Sequence, residues 1–168
     1  MNMSICLDKA WTEAEHNTKV ALVFQDAETR CWAEGGRDFI AEQTGSGSVQ
    51  STTWQISNLS DPGYFTCGVQ ALAQADAIVM AVREVDRFPG AFYLWVNLWL
   101  QVRAGKPGTL IALVGSSGHA NPETLETRRY LHAIASQGGL ELVMKEFDPT
   151  SSSPLFEPDE FRPLAKVA

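Results

Sequence analysis

Three short polar stretches hold the side chains best suited to binding a ligand: residues 25–30 (QDAETR), 83–84 (RE) and 115–119 (GSSGH). Hydroxyl and guanidinium groups donate hydrogen bonds to phosphates and to the polar edges of ring compounds, and glycine lets the backbone approach such a ligand closely. If a ligand binds, the candidate contact residues are Thr29, Arg30, Arg83, Glu84, Ser116, Ser117, Gly118 and His119.

Nucleophilic catalysis is a second interpretation of the third stretch. Ser116 or Ser117 near His119 suggests a serine nucleophile with its base, as in hydrolases. The Gly-x-Ser-x-Gly elbow is broken, however, because His119 stands where its last glycine belongs. We therefore predict no catalytic residue.

The cysteines do not indicate a metal site. Cys6, Cys31 and Cys67 are far apart and form neither a CxxC pair nor a zinc-ligand spacing. We expect small buried or half-buried thiols in a reducing cytosol, and we predict no bound metal.

The elements that position the polar stretches alternate between strands and helices. Strands are predicted at 19–24, 49–56, 76–82, 109–114 and 140–147, and three of these are uniformly apolar, as in buried parallel sheets. Helices are predicted at 29–43, with an interruption at Gly35-Gly36, at 64–74, at 89–104, and from Asn121 to Gly138. Such alternation with right-handed crossovers predicts a doubly wound three-layer α/β/α sandwich around a parallel sheet.

Length and charge limit the domain organisation and the partners. The 168 residues suit one domain over 19–148, with an N-terminal leader at 1–18 and a Pro/Ser-rich C-terminal tail at 149–168. The sequence shows no secretion signal and no run of about 18 apolar residues, so we expect a cytoplasmic protein without a membrane partner. The net charge of −7 argues against nucleic acid as a partner.

The order of four short motifs resembles the flavodoxin-like superfamily, and most of all its NAD(P)H-dependent FMN reductase branch. The motifs are Ala75-Asp76-Ala77-Ile78-Val79, Pro89-Gly90-Ala91-Phe92, Gly105-Lys106-Pro107 and Ser116-Ser117-Gly118. The resemblance covers about residues 75–118. It implies a five-stranded parallel sheet in the order 2-1-3-4-5, with FMN held by the loops that follow strands one, three and four.

Two of those loops depart from the pattern of the family. The loop after strand one has no glycine and carries two carboxylates, Asp26 and Glu28, where the flavin phosphate would lie. The loop after strand three lacks the proline and the aromatic residue that would meet the flavin ring. We therefore expect no cofactor and a non-catalytic regulatory or protein-interaction module. The alternative is an FMN-binding, NAD(P)H-dependent oxidoreductase.

The chain also resembles the receiver domains of response regulators, which share this topology. Asp26, Ser116 and Lys145 occupy positions comparable to the functional residues of a receiver. The phosphoacceptor position falls at about Ala81, which cannot accept a phosphoryl group. The resemblance implies a receiver-like relative without that chemistry.

The predicted helix at 89–104 is apolar around nearly its whole circumference. Such a helix is either fully buried or covered by another chain. We expect a homodimer whose contact surface includes Phe92, Trp95 and Trp99, with a protein partner of another kind as a further option. The alternative is that the C-terminal tail covers this helix within one chain.

Overall fold

The computed structural model describes residues 18–44, 49–83, 88–115 and 122–147. Five strands lie in this part of the chain: β1 (Thr18–Phe24), β2 (Val49–Gln55), β3 (Ala77–Arg83), β4 (Gly108–Gly115) and β5 (Leu140–Phe147). All neighbouring strands pair in parallel, in the order β2-β1-β3-β4-β5. The predicted sheet order is confirmed.

Four α-helices connect the strands: α1 (Ala27–Thr44), α2 (Pro62–Gln74), α3 (Gly90–Arg103) and α4 (Pro122–Gly138). A short 3-10 helix, Ile56–Ser60, precedes α2 and was not predicted. Asp61 caps α2, accepting a hydrogen bond from the Tyr64 amide at 2.8 Å, and Pro62 occupies the first turn. The predicted interruption of the first helix is absent, because α1 continues through Gly35 and Gly36.

The helices form one layer on each side of the sheet. On one side, α1 buries Ala33, Phe39 and Ile40 against alternate residues of β1, β3 and β4. On the other side, α2, α3 and α4 share a larger apolar core with the opposite residues of the same strands. Side chains alternate between the two faces of a strand, so a strand covered on both faces is apolar throughout. This explains the burial of every residue from Ala77 to Val82 in β3.

The aromatic side chains of α3 lie inside this core. Trp95 and Trp99 are fully buried, Phe92 is 1% exposed, and the Trp95 indole donates a hydrogen bond to the Phe65 carbonyl at 3.1 Å. The expectation that Phe92, Trp95 and Trp99 form a contact surface between two chains is therefore wrong. The physical reason is that α3 packs against α2 and α4 as well as against the sheet.

Close packing of α2 on α3 depends on one glycine. A Cβ atom on Gly68 would lie 2.7 Å from Nε1 and 2.8 Å from Cζ2 of Trp95.

The large exposed apolar residues of the described ranges are Leu94 and Val102, which lie on the outer side of α3. Homodimer formation itself stays a prediction.

The cysteines differ in part from the expectation of simple thiols. Cys31 is an exposed free thiol on α1, whereas Cys67 is buried in α2 and is disulfide-bonded.

Across the ranges that the structure describes, no helix is long and apolar enough to cross a membrane. The same ranges contain no group of three or more His, Cys, Asp or Glu residues that could hold a metal ion.

Candidate ligand site at the carboxyl edge of the sheet

The carboxyl ends of the strands meet at one edge of the sheet, which we call the carboxyl edge. Phe24 of β1 is in register with Gln55 of β2, and Arg83 of β3 is in register with Gly115 of β4. The chain leaves β1 towards α1 on one face of the sheet and leaves β3 towards α3 on the other face. In open α/β sheets, ligands bind in the crevice at such a switch point.

Gln25 joins the ends of three neighbouring strands at this edge. Its side-chain oxygen accepts a hydrogen bond from the Arg83 amide at 2.7 Å. Its backbone carbonyl accepts one from the side-chain amide of Gln55 at 3.3 Å. Because its partners lie 30 and 58 residues away, no local sequence pattern identifies Gln25 as a positioning residue.

The first turn of α1 is held by a compact network between Asp26 and Thr29. The Thr29 hydroxyl accepts hydrogen bonds from the amides of Gln25 and Asp26 at 2.8 and 2.9 Å. In return, Asp26 Oδ1 accepts the Thr29 amide at 3.0 Å, as a helix-capping carboxylate does. Thr29 was predicted as a ligand contact, but its side chain is fully buried and already hydrogen-bonded.

Arg83 crosses the crevice between the ends of β1 and β3. Its guanidinium pairs with Asp26 through Nη1 and with Glu28 through Nη2, the latter at 3.0 Å. The hydrogen bond from the Thr29 amide lowers the pKa of the Asp26 carboxyl, helped by the Thr29 hydroxyl and by Arg83, while partial burial opposes the change. The structure thus brings two predicted residues, Thr29 and Arg83, to one network.

Arg30 takes no part in that network. Its guanidinium pairs with Glu34 one turn further along α1 at 3.2 Å and lies over the ring of Phe24, 5.6 Å from the ring centre. The remaining predicted contacts, Glu84, Ser116, Ser117, Gly118 and His119, lie outside the described residues.

Trp32 is a further side chain at this edge that the sequence analysis did not predict. It reaches from α1 to the end of β4, where a Cβ atom on Gly115 would lie 2.6 Å from its Cη2 atom. The Arg83 guanidinium lies 6.0 Å from its ring centre, which is within reach of a cation–π contact. A tryptophan near the amino end of a helix that follows strand one is the only sequence signal for it.

A cluster of aromatic rings lies on the opposite face, next to the start of α3. Phe88 is 3% exposed and packs on Phe92, Tyr93 and Tyr130, and its amide donates to the Tyr93 hydroxyl at 3.0 Å. Burial raises the pKa of the Tyr130 hydroxyl. These rings therefore belong to the apolar core, and the buried ring of Phe88 is not accessible to a ligand.

Structures that share this fold were found, although no protein-family model and no curated protein matches the chain. An oxidoreductase from Corynebacterium diphtheriae superposes with a TM-score of 0.63 at 15% identity, covering 90% of this chain and 93% of that one. An NADH:FMN oxidoreductase in its apo form gives 0.62 at 14% identity, covering 89% and 86%. A short-chain flavodoxin associated with a bacterial microcompartment gives 0.55 at 16%, covering 89% and 92%.

The chain therefore has a flavodoxin-like fold, as its sequence motifs predicted. The resemblance to receiver domains finds no support among these structures. The expectation of no cofactor is contradicted, because structures with this architecture include an NADH:FMN oxidoreductase and flavodoxins.

Proposed function

We propose that the chain is a flavin-binding protein whose ligand lies at the carboxyl edge, between the ends of β1 and β3. One observation carries the proposal: Gln25 and Asp26 at the end of β1 both bond to Arg83 at the end of β3, at the switch point of a flavodoxin-like sheet. An NADH:FMN oxidoreductase and flavodoxins share this fold and support the choice of a flavin.

The reaction class that fits this proposal is oxidation and reduction, with a nicotinamide nucleotide as electron donor. When bound, a flavin would supply the redox chemistry, and the protein would bind and orient it. The residues of this chain that would set its position are Gln25 and Arg83, which are fixed by bonds between strands, together with the partly exposed Trp32.

Binding is tested first by adding riboflavin or FMN to the full chain and following the quenching of flavin fluorescence. We expect saturable binding with a dissociation constant in the micromolar range or below. Ala27→Trp, which places a bulky ring on an exposed position beside Asp26, should weaken binding at least about tenfold. Ser136→Trp is the matched control, because Ser136 is exposed near the other end of the sheet. If neither riboflavin nor FMN binds, the proposal is contradicted.

Electron transfer is tested with the flavin-loaded protein in the absence of oxygen. If the protein is an oxidoreductase, NADH or NADPH should bleach the visible absorption of the bound flavin. Bound flavin that neither nucleotide reduces would contradict the reaction class while leaving flavin binding intact.

A second candidate is a regulatory or protein-interaction module, and the outer side of α3 favours it. Arg103 is the one charged residue of Gly90–Arg103, and it is buried, so the exposed side of this helix carries no charge. Leu94 and Val102 are 56% and 52% exposed there. We propose that this uncharged side, where Leu94 and Val102 are exposed beside Asn97 and Gln101, forms the contact of a homodimer, because two-fold pairing covers the exposed apolar side chains.

Sedimentation of the full chain tests the dimer. Leu94→Glu should shift the protein to monomers, whereas Gln137→Glu, an exposed change on α4, should not. A wild-type chain that sediments as a monomer at high concentration contradicts the homodimer.

A further inference from the structure

The crevice between β1 and β3 already holds an anion, which is the carboxylate of Asp26. Asp26 Oδ1 accepts the Thr29 amide in the first turn of α1, and Oδ2 pairs with Arg83. The amino end of a helix is where a phosphate group would gain most from backbone amides and from the helix dipole. In this chain, that position belongs to a side chain.

Three backbone donors around the position, the amides of Gln25, Asp26 and Thr29, are also in use. The amides of Gln25 and Asp26 both donate to Thr29 Oγ1, and the Thr29 hydroxyl lies within 3.1 Å of the Asp26 carbonyl and 3.2 Å of its carboxylate. A phosphate could gain these donors only by breaking the network that forms the first turn of α1.

The local charge acts in the same direction. Arg83 faces two carboxylates, Asp26 and Glu28, so the three side chains together carry one net negative charge. A phosphate monoester would add roughly 1.5 to 2 negative charges at pH 7. The residues present therefore do not fit the phosphate of FMN.

We propose that the ligand is a flavin without a terminal phosphate, an isoalloxazine that carries an uncharged polyol chain. This inference rests on the proposed flavin-binding function and specifies its ligand class. Carboxylate oxygens accept hydrogen bonds from hydroxyl groups, and such charge-assisted bonds are stronger than neutral ones. Asp26 and Glu28, whose side chains are 42% and 50% exposed, present oxygens to such a chain at the carboxyl edge.

The test compares riboflavin with FMN on the full chain, by calorimetry or by fluorescence quenching. We expect riboflavin to bind at least about tenfold more tightly than FMN at low ionic strength. The difference should shrink as salt is added, because salt screens the repulsion of the phosphate.

A double variant, Asp26→Asn with Glu28→Gln, identifies the source of the discrimination. Asparagine caps helices about as well as aspartate, so α1 should keep its first turn. FMN should gain at least about tenfold in affinity relative to riboflavin, because the repulsion of the phosphate is removed and riboflavin loses its charge-assisted hydrogen bonds to the two carboxylates. Asp38→Asn is the matched control: it removes one charge from the same helix, about 18 Å further along its axis at 1.5 Å per residue, and should leave both affinities unchanged.

Three outcomes contradict the inference in different ways. If FMN binds the wild type as tightly as riboflavin or more tightly, Arg83 exchanges Asp26 for the phosphate, and the inference fails while the proposed function stands. If riboflavin is favoured but the double variant does not narrow the difference, the carboxylates are not its cause. If neither flavin binds, the proposed function fails, and the inference fails with it.

Discussion

The two edges of the sheet each hold an arginine that crosses between elements, and the two arginines are held in opposite ways. At the opposite edge, where the strands begin and which we call the amino edge, Arg103 is 4% exposed. Its guanidinium donates at 2.8–3.3 Å to four backbone carbonyls, those of Leu72, Ala75, Lys106 and Pro107. At the carboxyl edge, the side chain of Arg83 is 41% exposed and pairs with two carboxylates.

The difference separates a structural edge from the edge at which we propose that a ligand binds. Backbone carbonyls cannot move away without unfolding their helix or turn, so Arg103 fixes the end of α2 to the turn before β4. Carboxylate side chains on an exposed surface can exchange one partner for another, and their ion pairs with Arg83 contribute little to stability. The same residue type is therefore buried and fixed by the backbone at one edge, and partly exposed and held by side chains at the other.

Arg103→Met should give the largest loss of stability in this comparison. It leaves four carbonyls at the amino edge without their buried donor, and unsatisfied buried acceptors cost about 1–3 kcal/mol each when water does not replace the donor. We expect the free energy of unfolding to fall by about 3 kcal/mol, measured by urea denaturation. A loss below about 1 kcal/mol would show that water satisfies these carbonyls and that the two edges do not differ as described.

The glycines at the two ends of β4 allow the same substitution to be compared at both edges. A Cβ atom on Gly108 would lie 2.8 Å from the Asp76 carbonyl oxygen and 2.8 Å from Arg103 Nη2. A Cβ atom on Gly115 would meet only the outer ring atoms of Trp32 below 3 Å. Backbone cannot yield as a half-exposed ring can, so Gly108→Ala should cost about 2 kcal/mol and Gly115→Ala less than about 1 kcal/mol. Equal losses in thermal denaturation would contradict the assignment.

Arg83→Met should have a small effect on stability and a larger one on ligand binding. Because both partners of the ion pairs are well exposed, the free energy of unfolding should change by less than about 1 kcal/mol. The affinity of the variant for FMN should be at least about tenfold lower than that of the wild type, since Asp26 and Glu28 then repel the phosphate without a neutralising cation. Titration of the variant with FMN measures this, and an unchanged affinity would show that the ligand does not approach Arg83.

The smallest expected effect is the response of stability to acid. The pKa of Asp26 lies below its ordinary value of 3.8 in the folded chain, so its contribution is complete above that value and is lost as the pH falls through the folded pKa. Below about pH 4, the free energy of unfolding should therefore fall less in Asp26→Asn than in the wild type. The two falls should differ by less than about 1 kcal/mol, because the site is partly exposed. Calorimetric melting of both proteins at pH 5 and pH 3 would reveal the difference; parallel decreases would contradict it.

Much of the fold could be predicted from the sequence because parallel strands are buried on both faces. The uninterrupted apolar runs in β1, β3 and β4 gave strand positions within one residue of those observed. The orientation of α3 could not be predicted in the same way. A helix that is apolar all round gives no period to show which side faces the sheet, and the approach of Trp95 to Gly68 is a contact between distant parts of the chain.

The candidate site was predictable only in part. Arg83 and Thr29 were identified from residue type and from their place after strands, and both lie in the network at the carboxyl edge. The link between these two residues was not predictable, because Gln25 meets Gln55 and Arg83 only after three strands have paired. The two carboxylates in the first loop led to the expectation of no cofactor, which the structures that share this fold contradict.

The position of Trp32 gives the molecule an optical reporter at its carboxyl edge. Among the tryptophans in the described ranges, Trp54, Trp95 and Trp99 are buried, and Trp32 is partly exposed. Its emission should therefore respond to solvent and to any nearby chromophore, while the buried indoles report on the core. Comparing the spectrum of the wild type with that of Trp32→Phe would isolate the signal of one residue beside Arg83, so that occupancy of the crevice could be followed without attaching a dye.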